Sequence, residues 1–199
     1  MEELSIRMIR NSIKKQKVIL ALVGLPGAGK TTATRYLVEK HKKNLIVVHF
    51  GKIVNDYIDE HGLKHTKETH KKIWLSLREK YGQEAFAMLN EKKIKQALKK
   101  GSVIIDGIRS WEEYIYLKNK FPANKIYIIS IYSDKKIRYE RSAKRKYRSD
   151  LYGEDRDVAE LVWMNMGPTI AFCDFLIVNN KRQKELQLGL DDIYHKILN

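Results

Sequence analysis

Five short runs of apolar, mostly β-branched residues recur along the chain: Val18 to Val23, Leu45 to His49, Val103 to Asp106, Ile126 to Ile131 and Phe175 to Val178. Runs this short, apolar at successive rather than alternate positions, predict parallel strands buried on both faces. Helix-like sequence separates them. It includes residues 30–42, and residues 84–100, where Phe86, Leu89, Ile94, Ala97 and Leu98 recur at helical spacing. This alternation implies an α/β fold with right-handed crossovers and a sheet covered on both sides. About 50 residues separate the second run from the third, more than one crossover helix needs, and the excess predicts a helical subdomain over the sheet's carboxyl edge. Residues 1–17 mix Leu4, Ile6, Met8, Ile9 and Ile13 with Arg7, Arg10, Lys14 and Lys15, and read as a basic amphipathic arm. No linker-like stretch or repeat divides the remainder, so residues 18–199 are expected to form one domain.

Composition narrows the class. At 43% hydrophobic and 10% aromatic, the 199 residues can build a packed core, which excludes disorder throughout. No apolar run approaches the roughly 18–20 residues of a membrane span, and no leader-like segment opens the chain. One cysteine, Cys173, suits a reducing cytosol and reads as a small core hydrophobe. A cytoplasmic protein with no membrane partner is the expectation. The 39 Lys and Arg against 24 Asp and Glu give a net charge of +15. That excess fits nucleic acid, polyanionic small molecules, or lysines that only solvate helix faces, and composition does not choose among them.

The chemistry begins directly after the first predicted strand. Gly24-Leu25-Pro26-Gly27-Ala28-Gly29-Lys30-Thr31 matches the full G-x-x-x-x-G-K-[ST] phosphate-binding pattern, between a strand and a helix. Its glycines let successive N–H groups converge on phosphate at a helix N-terminus. Lys30 is then placed for the β- and γ-phosphates, Thr31 for Mg²⁺ and Thr32 for the α-phosphate. Asp106 ends the third run, where an acid can hold the metal or accept a proton from an attacking hydroxyl. Arg109 follows in Asp-Gly-Ile-Arg-Ser and can clamp a second phosphate through its fork, or merely cap a surface loop. Beyond the fourth run, Arg138, Arg141, Arg145 and Arg148 recur at spacings that line one helical face. A solvated face and a nucleic-acid stripe compete with a lid over the phosphates as explanations of this row; its position favours the lid.

These motifs, with Cys-Asp-Phe-Leu-Ile-Val-Asn at the fifth run, resemble P-loop nucleotide kinases, in particular an archaeal adenylate-kinase-like and dephospho-CoA-kinase-like set. The resemblance implies a three-layer fold with a five-stranded parallel sheet in the order 2-3-1-4-5, an acceptor-binding helical region at about 52–98 and an Arg-rich lid at about 138–160. It implies an ATP- or GTP-dependent phosphotransferase that uses Mg²⁺ held by Thr31 and Asp106. Lys30, Asp106, Arg141, Arg145 and Arg148 would be catalytic. Gly24, Pro26, Gly27, Ala28, Gly29, Lys30, Thr31, Thr32 and Asn179 would bind the nucleotide, with Asn179 in the turn beside the adenine. Gly51, Arg78 and Arg109 would face the acceptor, a nucleotide-like small molecule such as a nucleoside monophosphate or dephospho-CoA. After the second run the family commonly has Gly-Asp and then an arginine that grips the acceptor phosphate. Here Lys52 and Asn55 stand instead, and Arg78 is the candidate replacement cation, with a plain surface role as its alternative. His49, His65 and His70 show no metal-ligand pattern and read as structural or solvated. A nucleic-acid-associated P-loop ATPase or nucleotide-dependent switch remains the competing class.

Overall fold

Each apolar run becomes a strand, in a computed structural model that describes residues 16–41, 44–144 and 153–198. The strands are β1 (Ile19–Val23), β2 (Leu45–His49), β3 (Ser102–Asp106), β4 (Ile126–Tyr132) and β5 (Phe175–Val178). All pairs are parallel and the order is β2-β3-β1-β4-β5, as the resemblance implied. Every residue of β1 is buried, because this central strand has a neighbour on each edge and helices on both faces.

The helices are α1 (Lys30–His41), α2 (Lys52–Glu60), α3 (Lys67–Tyr81), α4 (Ala85–Lys100), α5 (Trp111–Lys120), α6 (Lys135–Ala143), α7 (Glu154–Val158), α8 (Met166–Ala171) and α9 (Gln183–Leu198), with a π-helical turn at Ala159–Trp163. Local sequence sets several boundaries. Thr66 Oγ1 accepts the N–H of Thr69 at 3.1 Å and opens α3, and Ser110 Oγ accepts that of Glu113 at 3.0 Å and opens α5. The predicted insertion between β2 and β3 is the α2–α4 unit. One core packs Ile58, Phe86, Ile94, Ile105 and Leu117 on one side of the sheet; the other packs Leu20, Leu37, Ile129 and Leu190 on the opposite side. Cys173 is half-buried against the first core, in line with its reading as a small apolar residue.

Residues 1–15 of the basic arm lie outside the described residues, as do Arg145 and Arg148 of the expected lid. Lys17, at the arm's end, donates from Nζ to the carbonyls of Leu98 at 2.7 Å and Lys99 at 2.6 Å and so caps the C-terminus of α4. Among the described residues, no helix is long and apolar enough to cross a membrane.

Candidate nucleotide site

The loop between β1 and α1 closes on glycines that no other residue can replace without moving a neighbour. A Cβ on Gly27, at φ +82°, would lie 2.6 Å from the Arg138 carbonyl oxygen, and one on Gly29, at φ +111°, would collide with the Asn179 amide. The loop is therefore packed against α6 on one side and the end of β5 on the other. Lys30 folds back over it, with Nζ donating to the carbonyls of Gly24 at 2.5 Å and Leu25 at 3.3 Å. Its ammonium is thereby held over the N-terminus of α1, where backbone N–H groups and the helix dipole already favour an anion. Thr31 is exposed and Thr32 half-buried in the first turn.

Asp106 stands beside this loop because β3 pairs with β1, bringing Asp106 level with Leu22. On its other side β2 brings His49 level with it, and His49 Nδ1 lies 3.0 Å from Asp106 Oδ2. His49 therefore belongs to the site, a correction to its reading as structural or solvated. The Thr31 hydroxyl and the Asp106 carboxylate are hard oxygen donors, the kind Mg²⁺ prefers, and so few protein ligands suit an ion otherwise held by phosphates and water. The residues present fit that ion.

The structure shows where the side chains of several expected site residues go. Asn179 Nδ2 donates to the Ala28 carbonyl at 2.8 Å, so its buried side chain braces the phosphate loop. Arg141 lies at the ends of two strands. Its Nη1 donates to the Asn179 carbonyl at 2.9 Å and Ser133 Oγ at 3.2 Å, tying together the ends of β4 and β5. Arg138, in the same row, is buried and forks onto Asp157 at 2.9 and 2.6 Å while also donating to the Pro26 carbonyl at 3.1 Å. Both arginines donate to groups within the domain, where α6 packs against the loop at Gly27.

Arg78 is neither a surface residue nor an open cation. It is buried, with Nη2 2.9 Å from Glu113 Oε1, Nη1 donating to the Gln83 carbonyl at 2.8 Å, and its guanidinium over the Trp74 ring. Burial pushes Glu113 up to about 7, against the pull of Arg78 and of the Arg109 N–H, which donates to Glu113 Oε2 at 2.8 Å. Arg109 itself points to Glu160 on the π-helical turn, Nε to Oε2 at 3.0 Å. Gly51 lies exposed at the start of α2 with open space around it, and Lys52 pairs along the same helix with Asp56 at 2.5 Å. A cavity of about 330 Å³, lined by Trp74, Arg78, Gln83 and Trp163 among others, opens between α3 and the π-helical turn.

His49 was read from sequence as structural or solvated, and Glu113, Asp157 and Glu160 were not singled out. Only His49 carried a usable signal, since it ends a predicted strand as Asp106 does; the others are acids dispersed among many, and only packing selects them.

A family model described as an AAA domain matches residues 20–161, which includes the phosphate loop, β3 and the start of the π-helical turn. The chain is also similar to a UPF0200 protein of Thermococcus onnurineus, 32% identical over 186 residues, covering 91% of this chain and 98% of that one. A UPF0200 protein of Methanocaldococcus jannaschii is 36% identical over 187 residues, covering 92% and 91%. One from Pyrococcus horikoshii is 32% identical over 187 residues, covering 91% and 98%. With the complete phosphate loop on a five-stranded parallel sheet, these matches make the chain a member of the UPF0200 family whose main domain is a kinase-like P-loop NTPase of the AAA-domain family.

Proposed function

We propose that this protein is a phosphotransferase that moves the γ-phosphoryl group of ATP or GTP to a hydroxyl or phosphate on a nucleotide-like small molecule, such as a nucleoside monophosphate or dephospho-CoA. The observation that carries this reading is the shared edge: the Lys30 loop and Asp106 lie side by side on β1 and β3, and the α2–α4 insertion follows β2 at the same end of the sheet. A switch or simple hydrolase needs the loop but has no use for an acceptor chamber.

In-line transfer asks the protein for positioning and charge neutralisation more than for covalent chemistry. The loop N–H groups and the helix dipole hold the β-phosphate, and Lys30 draws charge from the β- and γ-oxygens. Mg²⁺ held through Thr31 and Asp106 would supply further neutralisation. His49, fixed on Asp106, orients that carboxylate, and Arg109 bears on the acceptor side. The cavity beside Trp163 offers an aromatic wall to a nucleotide-like acceptor. Arg138 and Arg141 are committed inside the domain, which removes two cations from any nucleic-acid stripe and supports a small-molecule acceptor.

A phosphoryl-transfer assay over nucleoside monophosphates, nucleosides and dephospho-CoA tests the proposal. Transfer to one of them, abolished by Lys30→Ala, is expected. Nucleotide binding with no transfer to any acceptor counts against it, and unchanged turnover in Lys30→Ala rejects the loop's role.

A further inference from the structure

The sheet has two edges, and they are sheltered unequally. On β2 every residue except His49 is buried or half-buried. On β5, the other edge, Leu176 is 59% exposed and Val178 56%, and Tyr132, level with Val178 on β4, is exposed too. Alternation along the strand puts Leu176 and Val178 on one face and Ile177 on the other. Ile177 is buried under α9, where a Cβ on Gly189 would lie 3.7 Å from its Cγ2. Leu176 and Val178 face solvent instead. Phe175-Leu176-Ile177-Val178 carries neither a proline nor a charge, the devices that usually keep an edge strand from pairing.

The backbone of this edge is open as well. Ile19 donates its N–H to the Lys125 carbonyl at 2.9 Å, so the odd-numbered residues of β4 bond to β1 and the even-numbered ones to β5. Asn179 donates its N–H to the Tyr132 carbonyl at 2.7 Å, so within β5 Phe175 and Ile177 bond inward to β4, and the N–H and C=O of Leu176 and Val178 turn outward. An antiparallel copy of β5, related by a two-fold axis at Ile177, sets Leu176 opposite the partner's Val178 and Val178 opposite the partner's Leu176. Each of these residues then exchanges both backbone groups with the residue facing it, and their apolar side chains meet on the face that α9 leaves open. Exposed Asp174 precedes β5, and exposed Lys181 and Arg182 follow it. Reversal therefore brings the acidic end of each strand beside the basic end of the other, with Asp174 opposite the partner's Asn180 and next to the partner's Lys181. A parallel copy would set like ends together. The edge is complementary to itself in hydrogen bonding, apolar surface and charge, as an interface on a two-fold axis requires.

We propose that β5 is a dimerisation edge: two copies of this chain pair their β5 strands antiparallel about Ile177 and join the two five-stranded sheets into one. The inference is independent of the phosphotransferase reading, because Leu176 and Val178 take no part in the nucleotide site.

Sedimentation velocity on the full chain between about 1 and 100 µM should show a dimer whose share grows with concentration. Leu176→Lys with Val178→Lys places like charges opposite each other across the axis, and Leu176→Glu with Val178→Glu does the same with the other sign, so each double variant alone should lose the dimer. Both positions are exposed, so the fold should survive, which circular dichroism checks. Mixed in equal amounts, the two variants should recover the dimer as a heterodimer, because each lysine then faces a glutamate. A wild type that stays monomeric throughout overturns the proposal and leaves the edge to another segment of the chain or to a different protein. A dimer that survives both double substitutions overturns it too, since the interface then lies elsewhere, and so do variants that separate but fail to recombine. A further measurement needs no variant: the amide hydrogens of Leu176 and Val178 should exchange more slowly as the wild-type concentration rises, and rates independent of concentration overturn the proposal.

Discussion

Asn179 and Glu113 show how far a side chain's role depends on what closes over it. Asn179 ends β5 as a turn residue would, yet its amide is locked to the Ala28 carbonyl beneath the phosphate loop. Asn179→Ala removes that brace and leaves a buried carbonyl unpaired, so a stability loss of roughly 1–3 kcal/mol is expected, with weaker nucleotide affinity; denaturant unfolding and analogue titration measure the two. Glu113 is the reverse case, an acid kept partly protonated by burial. Its folded pKa of about 7 exceeds the ordinary 4.5, so between those values the unfolded chain gives up a proton that the folded one retains. Stability from this group should fall as pH rises from about 4.5 through about 7, and Glu113→Gln should flatten that part of the pH-stability curve measured by urea unfolding. A slope unchanged in the variant would assign the dependence to another group.

At the level of elements, α6 is the piece whose placement mattered most. Its arginines recur at helical spacing, which reads as a row reaching over a ligand, but α6 packs against Gly27 and commits Arg138 to Asp157 on α7 and to the Pro26 carbonyl. This buried fork joins the phosphate loop, α6 and α7. Removing one partner strands a charge, so Asp157→Ala should cost roughly 3–5 kcal/mol of unfolding free energy, whereas Arg138→Met with Asp157→Leu should cost markedly less than the sum of the single changes. A double variant as damaged as that sum would mean that the fork has no special coupling. The same logic applies to the insertion. Helical periodicity marked α4, but Arg78 on α3 turns inward to Glu113 on α5 because Trp74 and Phe86 form a pocket that accepts its guanidinium.

Across the whole molecule, the +15 charge divides between cations held inside and those left to solvent. Binding to any oligonucleotide through the exposed lysines would be counterion-driven and should weaken by orders of magnitude between about 50 and 200 mM salt. Affinity for Mg²⁺ with the ATP analogue rests largely on backbone N–H groups and should change far less over that range. Parallel titrations compare the two, and a nucleotide affinity that tracked oligonucleotide binding would favour the nucleic-acid class instead.

The strands, their parallel arrangement and the phosphate loop were determined by sequence alone, because each follows from local patterns: β-branched runs too short for helices, and glycines placed where only glycine fits. The separation of about 50 residues between Leu45 to His49 and Val103 to Asp106, more than one crossover helix needs, likewise announced the helical insertion. The tertiary structure alone decided which charges meet. His49 joins Asp106 only because β2 lies next to β3, Asn179 reaches Ala28 only because β5 ends under the loop, and Arg109 finds Glu160 only when the π-helical turn folds over the sheet edge. A charged side chain carries no signal of its partner in its own neighbourhood of the chain; the partner is chosen by burial, where an unpaired charge is costly and packing brings the opposite one within reach.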